Sequence, residues 1–426
     1  MHRRRRAALA LTTAATLAAT AGCAETTSDD NGQSRTDRHA AGDRPQAAPQ
    51  QPARVIGDGS TAYTGPQPRQ RPAAGNLRAG KRPPQFVVFS WDGAGEDSKK
   101  LFSRFRQAGK KYGATQTYFL SGLYLLPESK AKRYNPPGHD RGASDIGYLK
   151  DRNVRATLEQ IRGAWKDGSE IGTHFNGHFC GAGGVDNWSV RQWKSEIRQA
   201  RGFVQKWRSN TGWKNLAPLP FDYGRELIGA RTPCLEGRHN LLRAARDMGF
   251  RYDSSGNGKQ VWPRKEHGLW DVSLQQIPTP GSSFETLSMD YNFLANQSVT
   301  PDGPRHKRPA YKRQMRGALL AGFNRAYTTN RAPLVIGNHF EDWNGGIYMD
   351  AVEDVMKRVC GKEEVRCVSF RQLVDWLDAQ SPKQLASLRS LDVGERPKGG
   401  WDSFLPPKRV DVQPAGGPGR AFGPTL

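Results

Sequence analysis

An α/β fold, with a mainly parallel sheet and outer helices, closed as a barrel or left open, is what the 426-residue sequence predicts. Three observations predict it. Short continuous apolar runs, the mark of strands buried on both faces, recur through the middle of the chain. Amphipathic stretches of helical period alternate with them. Polar segments rich in Gly and Pro, unable to bury enough surface to offset their ordering entropy, stand at the two ends.

The elements follow in order. Residues 1–22 read as a signal peptide: "MHRRRRAALALTTAATLAATAG" has a basic start, a weakly apolar stretch and a small-residue end. It is too short and too rich in Ala and Thr for a stable membrane span. Thr20-Ala21-Gly22-Cys23 resembles a lipobox, with cleavage before Cys23 and lipidation of its thiol, and the arginine run also resembles a twin-arginine signal. The expected location is therefore the outer face of the cytoplasmic membrane, held by a lipid anchor, with secretion as the alternative. Residues 23–82 read as a disordered tether, because after Cys23 its only large apolar residues are Val55, Ile56, Tyr63 and Leu77.

Residues 83–380 carry the alternating signals of a folded domain. "FVVFSW" (86–91) is a buried strand, and "SKKLFSRFRQAGKKYG" (98–113) a helix expected to be capped by Ser98 and ended at Gly113. "ATQTYFLSG" (114–122) is the next strand, "NVRATLEQIRGAWKDG" (153–168) a helix, and "SEIGTHF" a strand. Ser189 opens a helix with Gln192 in capping-box position and Trp193, Ile197, Ala200, Val204 and Trp207 on one face. "NLLRAARDMGF" (240–250) is a helix leading into "RYDSS". "APLVIGNHF" (332–340) is a strand, "YMDAVEDVMKRVC" a helix, "VRCVSF" a strand and "RQLVDWLDAQ" a closing helix. Residues 381–426 form a Pro- and Gly-rich tail whose "WDSFL" is a candidate for docking on the domain.

The net charge is +23, from 64 Lys and Arg against 41 Asp and Glu. That balance suits polyanionic surroundings. Nucleic acid is disfavoured, since the basic residues are scattered, no recognition motif appears and export removes the partner. Anionic wall polymers suit an exported protein better. Of the five cysteines, Cys23 as an anchor leaves four, which outside the cytoplasm form two disulfides in any of three pairings. Cys360 with Cys367 closes a short polar loop, and Cys180 with Cys234 then follows.

In such folds functional side chains gather where strands end at their carboxyl edge. "FVVFSW" ends at Asp92, and "SEIG" ends at His174 and His178, four residues apart and so able, one helical turn on, to face a common point. "ELIGA" ends at Arg231, "PLVIGN" at His339, and Asp253 follows another short apolar stretch. Packing requires no charge at those positions.

The ordered set "FSWDG", "ATQTYFLSG", "EIGTHFNGH", "GARTPCLEG", "RYDSS" and "LVIGNHF" resembles the successive motifs of the polysaccharide deacetylase family, carbohydrate esterase family 4 or NodB-homology. The resemblance spans about residues 83–376 and is nearest to the chitin-deacetylase-like branch. It implies a distorted (β/α) barrel, a divalent metal and hydrolysis of N- or O-acetyl groups on a polysaccharide such as peptidoglycan or a chitin-like polymer. It also implies metal ligation by Asp92, His174 and His178, a donor set that suits zinc and also cobalt or nickel. His339 then matches the general acid, Arg231 the arginine that holds the catalytic carboxylate, and Asp253 a supporting acid.

One departure stands out. The family's first motif has two adjacent aspartates, base then ligand, and this chain has only Asp92 before Gly93. Matching Ser90 and Trp91 to the residues before the pair makes Asp92 the base and leaves the metal one ligand short. Matching Asp92-Gly93 to the end of the motif makes Asp92 the ligand and puts Trp91, which cannot accept a proton, at the base. Strand register favours the first matching. Glu96 and Asp97 are the nearby carboxylates that could swing in, and Phe175 is a second departure. The competing expectation is thus a catalytically impaired member that binds glycans, with Trp91, Trp188, Trp262 and Trp343 as candidate stacking rings.

Overall fold

The computed structural model describes residues 53–68 and 75–404. The signal segment, Cys23 and the tether as far as residue 52 lie outside the described residues, as does the tail beyond residue 404.

The strands run β1 (Arg54–Ile56), β2 (Thr61–Tyr63), β3 (Gln85–Asp92), β4 (Thr117–Leu120), β5 (Glu170–Thr173), β6 (Gly229–Ala230) and β7 (Tyr252–Asp253). They continue as β8 (Asn257–Gly258), β9 (Lys265–Glu266), β10 (Leu269–Asp271), β11 (Leu274–Pro278), β12 (Glu285–Leu287), β13 (Leu334–His339) and β14 (Val365–Cys367). Helices α1 (Leu101–Tyr112), α2 (Asp151–Lys166), α3 (Val190–Gln205), α4 (Trp207–Thr211), α5 (Tyr223–Glu226) and α6 (Arg238–Asp247) fall between them. After α7 (Asp290–Gln297) and α8 (Arg308–Thr328) come α9 (Trp343–Val359), α10 (Phe370–Ala379) and α11 (Pro382–Arg389). The main sheet is ordered β13-β3-β4-β5-β6-β7-β10-β9, with β14 on the start of β3, and is parallel except where β9 meets β10. It curls into the distorted barrel that the sequence predicts. Beside it, β12-β11-β8 form a small sheet joined to β13 by a bridge from Met289 to Gly337.

Strand alternation explains how the core divides. Along β3, Val87, Phe89 and Trp91 pack outward with Phe102, Leu158, Met349 and Val352 of the outer helices. Phe86 and Val88 point the other way and pack with Phe119, Tyr252, Val335 and Trp376 inside the curl. Continuing the period of two, Asp92 of β3, His174 just after β5, Arg231 just after β6 and His339 of β13 all fall on the inner face at the carboxyl edge. Asp253 has the opposite parity to Tyr252 and faces the outer helices.

Three sequence readings need correction. Residues 53–68, expected within the tether, are folded: β1 and β2 pair, Ala62 N donates to Leu219 O at 2.8 Å, and Trp207 Nε1 donates to Ser60 O at 2.6 Å. Asp58 also caps the start of α4 by accepting from Ser209 N at 3.0 Å. Polar pairing, not apolar burial, holds this segment, so its low hydrophobic content is no guide. The tail also begins later than residue 381. Ser381 and Gln384 form a capping box at α11, whose Leu385 and Leu388 are buried, and Phe404 O accepts from Gly80 N at 3.1 Å. Finally, α1 starts after Lys100 with no side-chain cap, not at Ser98, and ends as expected at a left-handed Gly113. Both expected disulfides are present, Cys180–Cys234 and Cys360–Cys367, and the capping box at Ser189 forms. Among the described residues no helix is long and apolar enough to cross a membrane.

Candidate active site

Asp92, His174, His178 and His339 line one cavity of about 170 Å³ at the carboxyl edge of the sheet, with Asp97 and Glu341 also in its wall. The Asp92 carboxylate is buried, and its Oδ1 accepts from Arg231 Nη1 at 2.9 Å. Arg231 is wholly buried and immobilised: Nε donates to Ser254 O at 3.1 Å and Nη2 to Ser254 Oγ at 2.8 Å. Burial works to raise the Asp92 carboxyl, but Arg231, with His174 and His339, outweighs it and holds the group below its ordinary value. The result is an anion inside the protein, pre-paired and facing open space.

The histidine pair is not helical. His174 and His178 sit in a loop after β5, where Phe175 (φ 59°) and His178 (φ 58°) take the left-handed conformation. This backbone, not a helical turn, brings the rings to a centroid separation of 5.1 Å. His174 Nδ1 lies 2.8 Å from Arg231 O, which fixes that nitrogen as the donor and leaves the Nε2 lone pair free. Burial lowers the His174 pKa to about 3, so the ring is neutral, and burial followed by His339 also lowers that of His178. The loop rests on residues that sequence reasoning missed. Tyr134 Oη donates to both carboxylate oxygens of Glu196, at 2.9 and 3.1 Å, and accepts from Gly177 N, while Asn176 Nδ2 donates to Glu196 O. Burial raises the Glu196 pKa to about 7. The Cys180–Cys234 bridge ties the same loop to the one after Arg231.

His339 belongs to a different arrangement. Its Nδ1 lies 2.8 Å from Asp290 Oδ1, and its backbone N donates to Asp290 Oδ2 at 2.7 Å. Burial would lower the imidazole, but Asp290 reverses this and carries it up to about 9, so the ring is protonated at neutral pH. Asp290, at the start of α7, was missed; its only sequence signal is an acidic residue in a first helical turn. Asp253, expected as the supporting acid, instead accepts from Arg238 Nε at 2.7 Å and from Ser255 Oγ at 2.6 Å. Its outward parity on β7 is the reason: it meets helix α6, and reaches the Arg231 loop only through Ser255, which accepts from Thr232 N.

The remaining candidates separate cleanly. Glu96 is turned away to accept from Ser103 N at 3.0 Å, whereas Asp97 stays in the cavity wall. Trp91 is fully buried, donates to Gln116 Oε1 at 2.8 Å and stacks on Phe340, so it offers the cavity nothing. Trp188 and Trp262 are buried as well, leaving Trp343 as the one of the four proposed stacking rings with an open face. It stands 5.4 Å from His339 and 6.0 Å from Tyr291, which is 53% exposed.

Two neutral imidazoles with rings 5.1 Å apart suit one divalent metal ion. Asp92 does not complete a triad: among the described residues the one group of three metal-capable side chains with donor atoms within 4.8 Å is His178, Cys180 and Cys234, whose sulfurs are already joined to each other. The residues therefore fit the histidine half of a metal site, with Asp92 committed to Arg231.

No family model and no curated protein matches the chain. Among solved structures it is similar to a candidate polysaccharide deacetylase from Mycobacterium smegmatis, at 14% identity over 72% of this chain and 95% of that one, with a TM-score of 0.43. It is also similar to a peptidoglycan deacetylase from Bacillus subtilis, at 11% identity over 69% and 92% of the two chains with a TM-score of 0.35. A pseudoenzyme of carbohydrate esterase family 4 from Bacillus anthracis matches at 9% identity over 70% and 66%, with a TM-score of 0.36.

Proposed function

We propose that the chain is a metal-dependent hydrolase that removes N- or O-acetyl groups from a cell-wall or extracellular polysaccharide. The observation that carries this reading is the pairing of opposites around one cavity: an ionised Asp92 held by Arg231, and a protonated His339 held by Asp290. In this mechanism Asp92, which Arg231 keeps ionised until that moment, takes a proton from the attacking water and becomes the neutral acid as hydroxide adds to the acetyl carbonyl. His339 then delivers its Nε2 proton to the departing sugar nitrogen or oxygen. His174 and His178 would hold the ion, zinc or alternatively cobalt or nickel, which when bound supplies Lewis acidity to the acetyl carbonyl and acidifies water. Tyr291 and Trp343, beside the acid, offer flat faces to the pyranose ring.

The proposed compartment is outside the cytoplasm. Two disulfides support it, together with the signal-like residues 1–22 and Cys23 as the lipidation site. Secretion without an anchor is the alternative, and anionic wall polymers are the proposed surroundings.

A second reading is favoured by two observations, the absence of a carboxylate at Gly93 and, among the described residues, of a three-donor cluster containing Asp92. It makes the chain an impaired member that binds glycans without cleaving them. The deciding experiment measures bound metal and acetate release from acetylated chito-oligosaccharide and peptidoglycan, for the native chain and for Gly93→Asp. Gly93 has φ 63°, and a Cβ there would meet Tyr124 at an ordinary 3.7 Å, so the variant adds a carboxylate at the cost of backbone strain alone. Acetate release by the native metal-loaded chain supports the hydrolase. Glycan binding without release, with release appearing in Gly93→Asp, supports the binder.

A further inference from the structure

A second cavity, of about 430 Å³, lies at the opposite edge of the sheet, where the chain enters β3 and β13. Its wall contains Arg82, Arg331, Arg396, Tyr327, Trp401 and Asp402. The strands separating it from the catalytic edge are six to eight residues long, or about 20 Å or more at the usual rise per residue.

The informative group is Arg331. It is 1% exposed, and its guanidinium carbon sits 4.2 Å from the Tyr327 ring. Nη2 donates to Glu364 Oε2 at 2.7 Å, but Nε and Nη1 are buried with no hydrogen-bond partner among the described residues. Leaving a buried donor unpaired costs about 1–3 kcal/mol, more for a charged group. A protein that keeps two such donors beside a concave space lined by two further arginines has the donors of an anion site. Glu364 and Asp402 offset part of the charge, and neither pairs with Arg82 or Arg396.

We propose that this cavity binds a phosphate or phosphate-ester group. Arg331 is its buried anchor, Arg82 and Arg396 close on it from the exposed rim, and the Trp401 ring flanks the organic part of an ester. Guanidinium forks match the oxygens of phosphate in pairs. Three forks from three chain segments offer more donors than the two oxygens of a carboxylate can accept. The site is independent of the hydrolase reading, since it shares no residue with the catalytic cavity.

The test titrates the full chain with inorganic phosphate and with glycerol phosphate at constant ionic strength, following Trp fluorescence and melting temperature, with acetate as control. Saturable binding is expected for both phosphates and not for acetate. Arg331→Gln should weaken it roughly tenfold or more, the size of a lost charged hydrogen bond. Because Arg331 is buried, the rim variant Arg82→Ser with Arg396→Ser, whose native side chains are exposed, supplies the same loss without threatening the fold. Phosphatidylglycerol vesicles that displace phosphate would name a lipid headgroup as the source. Vesicles that leave phosphate bound would name a soluble or polymer-borne phosphate ester. Absence of saturation, equal binding of acetate, or an unchanged response in the rim variant overturns the site.

Discussion

The ends of β5 and β13 carry the same side chain in opposite states. Both His174 and His339 stand at the carboxyl edge of one sheet, on its inner face, and burial depresses the pKa of both. At His174 the Asp92 carboxylate opposes that push without reversing it, since the Nδ1 partner is a neutral carbonyl and His178 adds to the lowering, and the pKa falls to about 3. At His339 the partner is the Asp290 carboxylate, and the pKa rises to about 9. One charged neighbour thus separates a neutral ring suited to ligation from a protonated ring suited to donating a proton. Position on the strand selects which side chains meet; the second layer selects what each can do.

The comparison can be broken first at the anion that both rings face. Asp92→Asn removes the proposed base and leaves Arg231 buried without its charge partner. Acetate release should fall roughly 10²–10⁴-fold, and denaturant unfolding should show a loss of about 3–5 kcal/mol. Unchanged release would remove Asp92 from the mechanism.

Asp290→Asn tests the β13 side alone. It should bring the alkaline limb of the pH–rate profile down from about 9 towards about 6.5, the ordinary histidine value, with release at pH 8 reduced roughly tenfold or more. Stability follows the same sign. A pKa raised by folding contributes stability that is complete below the unfolded value of about 6.5 and is lost as pH rises through about 9. The native chain should therefore exceed Asp290→Asn most at acidic pH, and the gap should close above pH 9. A gap that widens with pH would reject the His339–Asp290 assignment.

Beneath the β5 side, Glu196→Ala removes the carboxylate that accepts from Tyr134 Oη under the His174–His178 loop, at about 1–3 kcal/mol for the hydroxyl left behind, while the backbone acceptor of Asn176 remains. Weaker metal binding with an unaltered alkaline limb is the expected signature, measured by metal titration and pH–rate profile. Smallest of all, Tyr291→Ala should raise KM a few-fold and spare kcat, as loss of about 0.5–1.5 kcal/mol of ring stacking would. A fall in kcat with KM constant would place Tyr291 in the chemistry instead.

Much of this site was legible because period-two alternation and strand ends are local features. They suffice to single out Asp92, His174, Arg231 and His339, which meet around or beside one cavity. What stayed hidden depends on contacts distant in sequence. Asp290 lies 49 residues before His339 and opens a helix that carries no strand signal. The family resemblance makes Asp253 the supporting acid, but its outward parity on a two-residue strand sends it to Arg238 instead. The spacing of His174 and His178 suggested a helix, where two left-handed residues do the same work. The hairpin at residues 54–63 escaped notice because backbone pairing and Asp58, rather than apolar side chains, hold it.

The most direct measurement is a histidine-resolved NMR titration of the full chain, with His174→Gln and His339→Gln to assign the signals. The account predicts that His339 titrates near pH 9 while His174 stays neutral down to the acid limit of the fold. Two imidazoles titrating together near the ordinary value of about 6.5 would contradict it.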